Sequence, residues 1–110
     1  MKRRPPVSPR EQTAALEGLC AALARLRDAG EVQAFLRDLC TPAELEALGD
    51  RWQVVPHLLR GEPYREIHDA TAVSVTTIGR VARCLAEPAS GYQVAARRLG
   101  IARARTGAAR

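Results

Sequence analysis

Apolar residues in this chain recur every three or four positions, and no stretch alternates convincingly at every second one, which commits the backbone to helices and excludes a sheet. Leu16, Leu19, Leu23 and Leu26 step by three, four and three, with Cys20 beside them. Val32, Phe35, Leu36 and Leu39 share a second face. Leu45, Leu48, Trp52, Val55 and Leu59 make the strongest stripe. Two of these stretches open on the same start signal, Ser8-Pro9-Arg10-Glu11 and Thr41-Pro42-Ala43-Glu44. Each has a capping hydroxyl, a proline preset for the first helical position and an acid where a capping box needs one. The expected order is a helix from Pro9 closed by Gly30, a shorter one at about 31–39, and the Leu45–Leu59 helix closed by Gly61. Pro56 should remove one backbone bond from the last of these and kink it locally.

A chain of 110 residues is one domain's worth. Aromatics are 4%, so aliphatic side chains must build the core, and a chain this short leaves so much surface unburied that dimerisation is a natural completion. The net charge of +5 is unevenly placed. Residues 1–10 carry Lys2, Arg3, Arg4 and Arg10 without an acid, and residues 97–110 carry five arginines without one. The middle has 8 basic and 12 acidic residues, a net of −4. The expectation is a disordered basic arm at 1–8, a folded domain at 9–100 and a disordered basic tail at 101–110, the ends suited to polyanions or simply solvated. Cys20, Cys40 and Cys84 are far apart and odd in number, which argues against a disulfide framework or zinc site. No apolar run approaches a membrane span, and no apolar region follows the basic N-terminus as a secretory signal requires, so the expected location is the cytoplasm. Sixteen arginines against one lysine, with abundant alanine, suggest a GC-rich bacterial genome.

After Gly61 come two short amphipathic stretches with little between them. The first runs from Pro63 to about Ala70 with Ile67 as its inward anchor, and the second starts at Ser74, a good N-cap. Val75, Ile78, Ala82 and Leu85 form the stripe expected to be buried, while Thr76, Thr77, Gly79, Arg80 and Arg83 lie opposite with no acid until Glu87. Two helices across a tight turn, over about 62–87, are the pattern of a helix-turn-helix whose second helix lies in a DNA major groove. Short hydroxyls in the first turn suit base edges, that end of the helix favours phosphate, and arginines further along reach guanine edges or phosphates. The candidate DNA contacts are Arg65 on the first helix and Ser74, Val75, Thr76, Thr77, Gly79, Arg80 and Arg83 on the second. A plain surface helix whose polar side lacks acids would look similar, and the turn holds Ala72 and Val73 where glycine is frequent.

The run from Asp38 to Thr41, Glu44-Leu45, Tyr64 to Ile67, Ser74 with Thr77-Ile78, Arg80-Val81, Arg83 to Leu85 and Gly91-Tyr92 resembles the tryptophan repressor family, and more closely its YerC/YecD group. The resemblance covers about residues 32–100 and implies an all-α helical bundle with a helix-turn-helix. It further implies an intertwined homodimer with interlocked N-terminal helices, the Leu45–Leu59 helix as scaffold, and two reading helices about one DNA turn apart, ~34 Å, on a roughly palindromic operator. In that family tryptophan sits between two arginines, at positions matching Arg51 and Arg80, with a third contact matching Thr77. A glycine that makes room for the indole corresponds to Val81, and a nearby serine to Cys84. A β-branched valine should fill that space, so tryptophan is not expected as a corepressor and no cofactor is implied.

His57 and His68 have no partner at metal spacing, and no catalytic triad order, phosphate loop or zinc signature is present, so an enzyme is not expected. Three functions remain open. One is a homodimeric transcriptional repressor or regulator of double-stranded DNA. Another is a small helical protein-interaction module, favoured by acidic Glu62, Glu66 and Asp69. The third is an amino-acid-gated repressor.

Overall fold

The computed structural model describes residues 7–101, all of whose regular structure is helical. The helices are α1 (Pro9–Ala24), α2 (Ala29–Leu39), α3 (Pro42–Leu59), α4 (Tyr64–Thr71), α5 (Val75–Leu85) and α6 (Gly91–Arg98). Residues 1–6 and 102–110, most of the two expected basic arms, lie outside the described residues. The chain divides into two compact units, one ending at Thr41 and the other beginning at Pro42.

The first unit holds α1 and α2. At Ser8 the capping box forms in both directions: the hydroxyl accepts from the Glu11 amide at 3.1 Å, and the Ser8 amide donates to the Glu11 carboxylate at 2.8 Å. α1 ends at Ala24, well before the expected stop at Gly30. The reason is a competing start signal: the Asp28 carboxylate accepts from the Glu31 amide at 2.8 Å and the Glu31 carboxylate accepts from the Arg27 amide at 2.8 Å. Gly30 therefore lies inside the first turn of α2. Neither helix has a buried residue, and Leu16 and Leu39 are 59% and 49% exposed.

The second unit holds the core. Val54, Val55 and Leu59 of α3, Ile67 of α4, Val73 of the following turn, Ile78, Val81 and Leu85 of α5 and Ala96 of α6 form one buried cluster. On α3 the burial concentrates at the C-terminal end, so the expected stripe holds only in part: Leu48 is exposed, while Val54, outside the stripe, is fully buried. α3 runs through Pro56 and closes with the Glu62 amide on the His57 carbonyl and the Gly61 amide on the Leu58 carbonyl, at 3.2 and 3.0 Å. This Schellman closure places Gly61 at φ 79°, where a Cβ is penalised.

α6 was not marked by periodicity, because only Ala96 of it is buried. Ser90 caps it, Gln93 Nε2 donates to the Leu85 carbonyl at 2.7 Å, and Tyr92 stacks on Trp52 with ring centroids 6.4 Å apart. Ile101 continues the folded chain: its amide donates to the Ala96 carbonyl at 2.8 Å and its side chain packs against the core.

Candidate nucleic-acid interface

The helix-turn-helix is α4, a three-residue turn and α5. α4 is only 8 residues long, too short to be stable alone, and is held by Ile67, which is completely buried. The turn reverses through Ala72 at φ 64°, in the left-handed conformation usually taken by glycine. Its cost is offset by a local network. The Ala72 amide donates to the His68 carbonyl at 2.8 Å, the Thr71 hydroxyl donates to the Ile67 carbonyl at 2.7 Å and accepts from the Val73 amide at 3.1 Å, and His68 Nδ1–H donates to the Val73 carbonyl at 2.8 Å. Val73 then drops into the core. Thr71 and His68 are functional in this sense, since they aim α5, and nothing in the periodicity marks them.

α5 begins at Ser74, whose hydroxyl accepts from the Thr77 amide at 3.1 Å and donates to the Thr77 hydroxyl at 3.0 Å. Both side chains are thus engaged in shaping the helix start. The buried face is Ile78, Val81 and Leu85. This corrects the expected stripe in two places: Val75 is 49% exposed, because it lies a full turn ahead of the core, and Ala82 is only half-buried, Val81 taking the inward position instead.

The outer face exposes Thr76, Arg80 and Arg83, with Gly79 and Thr77 half-buried between them and the core. α5 carries no acidic side chain, and neither Arg80 nor Arg83 forms an ion pair with an acid among the described residues. Arg65 is exposed on α4, on a different element from the other candidates. Gly79 marks where α4 meets this face: a Cβ placed there would stand 3.7 Å from Tyr64 Cε2 and 3.8 Å from Arg83 Nη1. Tyr64, 41% exposed, therefore belongs to the surface around the α5 outer face, a placement that spacing along α5 does not reveal.

Glu62 is not part of α4, which starts at Tyr64, and its charge is locally met. Its carboxylate accepts from His57 Nδ1 and from Arg60 Nε, both at 2.7 Å. The His57 hydrogen bond first, then that from Arg60, holds its pKa below the ordinary carboxylate value. Glu66 and Asp69 remain exposed on α4. Of the positions that match the family's effector contacts, Arg51 and Thr77 are half-buried, Arg80 and Cys84 exposed, and Val81 is 1% exposed within the core cluster. Among the described residues no group of three His, Cys, Asp or Glu side chains is placed to hold a metal ion, and no helix is long and apolar enough to cross a membrane.

Comparison with known proteins places this arrangement. The profile of the Trp repressor protein family matches residues 14–100. YerC of Bacillus subtilis (strain 168), a protein described as uncharacterized, is 36% identical over 80 residues, which is 73% of this chain and 77% of YerC. The crystal structure of a TrpR-like protein from Eubacterium eligens ATCC 27750 superposes with a TM-score of 0.75 at 34% identity, covering 86% of this chain and 98% of the other. A Trp repressor candidate from Staphylococcus aureus superposes with a TM-score of 0.74 at 32% identity, covering 86% and 97%. With its helix-turn-helix built as described and nearly the whole described chain matched, the protein belongs to the Trp repressor family of helix-turn-helix DNA-binding regulators.

Proposed function

We propose that the protein is a homodimeric transcriptional repressor of the cytoplasm that recognises a palindromic operator, inserting α5 into the major groove of each half-site. The observation that carries the reading is the outer face of α5, where Thr76, Arg80 and Arg83 are exposed on a helix with no acidic residue, in a chain whose middle is net acidic. Arg83 and Arg80 would serve phosphates or guanine edges, and Thr76 a base edge. Arg65 on α4 would meet the backbone as the first helix crosses it, and the pairing of Glu62 with Arg60 removes one acid from repelling that backbone. Dimerisation is supported by α1 and α2, which bury no residue within one chain and leave Leu16 and Leu39 largely in water. Tryptophan control is not part of this reading, because an indole at the family position would have to displace the buried Val81.

Fluorescence anisotropy on duplexes from the protein's own upstream region tests it. Affinity should fall steeply with salt, and Arg80→Ala should cost about 1–3 kcal/mol if it reads a guanine. Binding left unchanged by both Arg80→Ala and Thr76→Ala would remove the assigned face. Absence of any salt-sensitive DNA binding would instead favour a protein-interaction module, for which the exposed Glu66 and Asp69 would be the polar surface. Expression of a reporter behind the bound site, lower with the protein than without it, checks the sign of regulation.

A further inference from the structure

Val75 is an aliphatic side chain left largely in water on the helix read as the DNA-facing one. It occupies the first helical position of α5, it had a place in the apolar stripe, and yet it stands 49% exposed while Ile78, three residues on, is fully buried. Its neighbours in sequence, Ser74 and Thr76, are exposed and polar, and the same helix exposes Arg80 and Arg83. The absence of acids on α5 suits a polyanion.

We infer that Val75 reads the 5-methyl group of thymine in each operator half-site. This rests on the DNA-binding reading of α5. The major-groove edges of adenine, guanine and cytosine present only hydrogen-bonding groups at the positions that distinguish them, and the thymine methyl is the apolar feature a helix can meet there. Reading helices place their N-terminal residues against base edges, and Val75 follows directly on the N-cap Ser74. Thr76, next along, supplies a hydroxyl for a neighbouring base, so the first turn of α5 combines one apolar and one polar probe. Val75 belongs neither to the buried cluster nor to the half-buried side chains packed against it, so its substitution should leave the Ile78, Val81 and Leu85 packing in place.

The test uses the full-length protein and an operator obtained by selection from random duplexes. Each thymine of one half-site, with its symmetric mate, is replaced in turn by deoxyuridine, which keeps the pairing edge and the O4 acceptor and lacks only the methyl. At one position the wild-type protein should lose about fourfold in affinity per half-site, the value of one buried methyl-sized group. Val75→Ala should bind the thymine and uracil duplexes equally there, with an unchanged melting temperature or a higher one. Wild-type protein indifferent to uracil at every position would overturn the inference, as would Val75→Ala with the thymine preference intact. Both of those outcomes leave salt-sensitive DNA binding standing. Failure to bind any duplex in a salt-sensitive way overturns the DNA-binding reading itself, and this inference with it.

Discussion

Ala72 holds the turn between α4 and α5 at φ 64°, a region where the Cβ crowds the following carbonyl at a cost of roughly 1–2 kcal/mol. The hydrogen bonds that tie Val73, the next residue, back to Thr71 and His68 span the turn and keep it there. Ala72→Gly should therefore raise stability by up to about 1 kcal/mol, read from urea unfolding midpoints, without moving α5. Glu62 gives a pH-dependent counterpart. Its pKa is lowered in the folded protein by His57 and Arg60, so the ionised carboxylate contributes stability above its ordinary value of 4.5. That contribution is lost as pH falls through the lower, folded-state value. Thermal melts should show wild type above Glu62→Gln at neutral pH, and the gap should close on acidification well below pH 4.5.

α5 carries a compromise visible at Gly79. Glycine inside a helix is destabilising by about 1 kcal/mol relative to alanine. A Cβ at 79 meets only ordinary contacts at 3.7 and 3.8 Å, so the fold itself does not demand glycine. Gly79→Ala should raise the melting temperature while weakening operator binding, because the new methyl projects toward the exposed face shared by Arg83 and Tyr64. Unchanged affinity in an anisotropy titration would place Gly79 off the DNA. α4 shows the opposite balance: with one buried anchor, Ile67, its geometry depends on the turn network more than on its own helical tendency.

The second unit contains every buried residue of the described chain, and the first contains none. Helices that keep leucines in water are stable when another surface covers them, and a second copy supplies that surface in the proposed dimer. Light scattering should give twice the 11.9 kDa chain mass. Leu16→Asp, at a position 59% exposed in one chain, should shift the species toward monomer and lower its melting temperature at fixed concentration. A substitution at a merely solvated leucine would do neither.

Local chemistry determined much of this protein in advance. The Ser8 and Ser74 caps, the Gly61 closure and the three-four spacing of apolar residues depend on neighbours within a turn or two, so the helical class and the location of the helix-turn-helix were legible in the residues themselves. The outer face of α5 was legible for the same reason: Thr76, Arg80 and Arg83 share a side of any helix drawn through them. Contacts between elements were not. Which of Val75, Val81 and Ala82 turns inward depends on where α3 and α4 meet α5: periodicity alone put Val75 and Ala82 in the buried stripe, whereas Val75 is exposed, Ala82 half-buried and Val81 buried. Gly30 looked like a stop until Asp28 and Glu31 together made a stronger start. The left-handed Ala72 and the stapling by His68 and Thr71 exist only once Val73 is drawn into the core. Spacing along one helix is a local property, but burial is decided by the elements packed around it, and that is why the exposure of Val75 could be seen only in the folded chain.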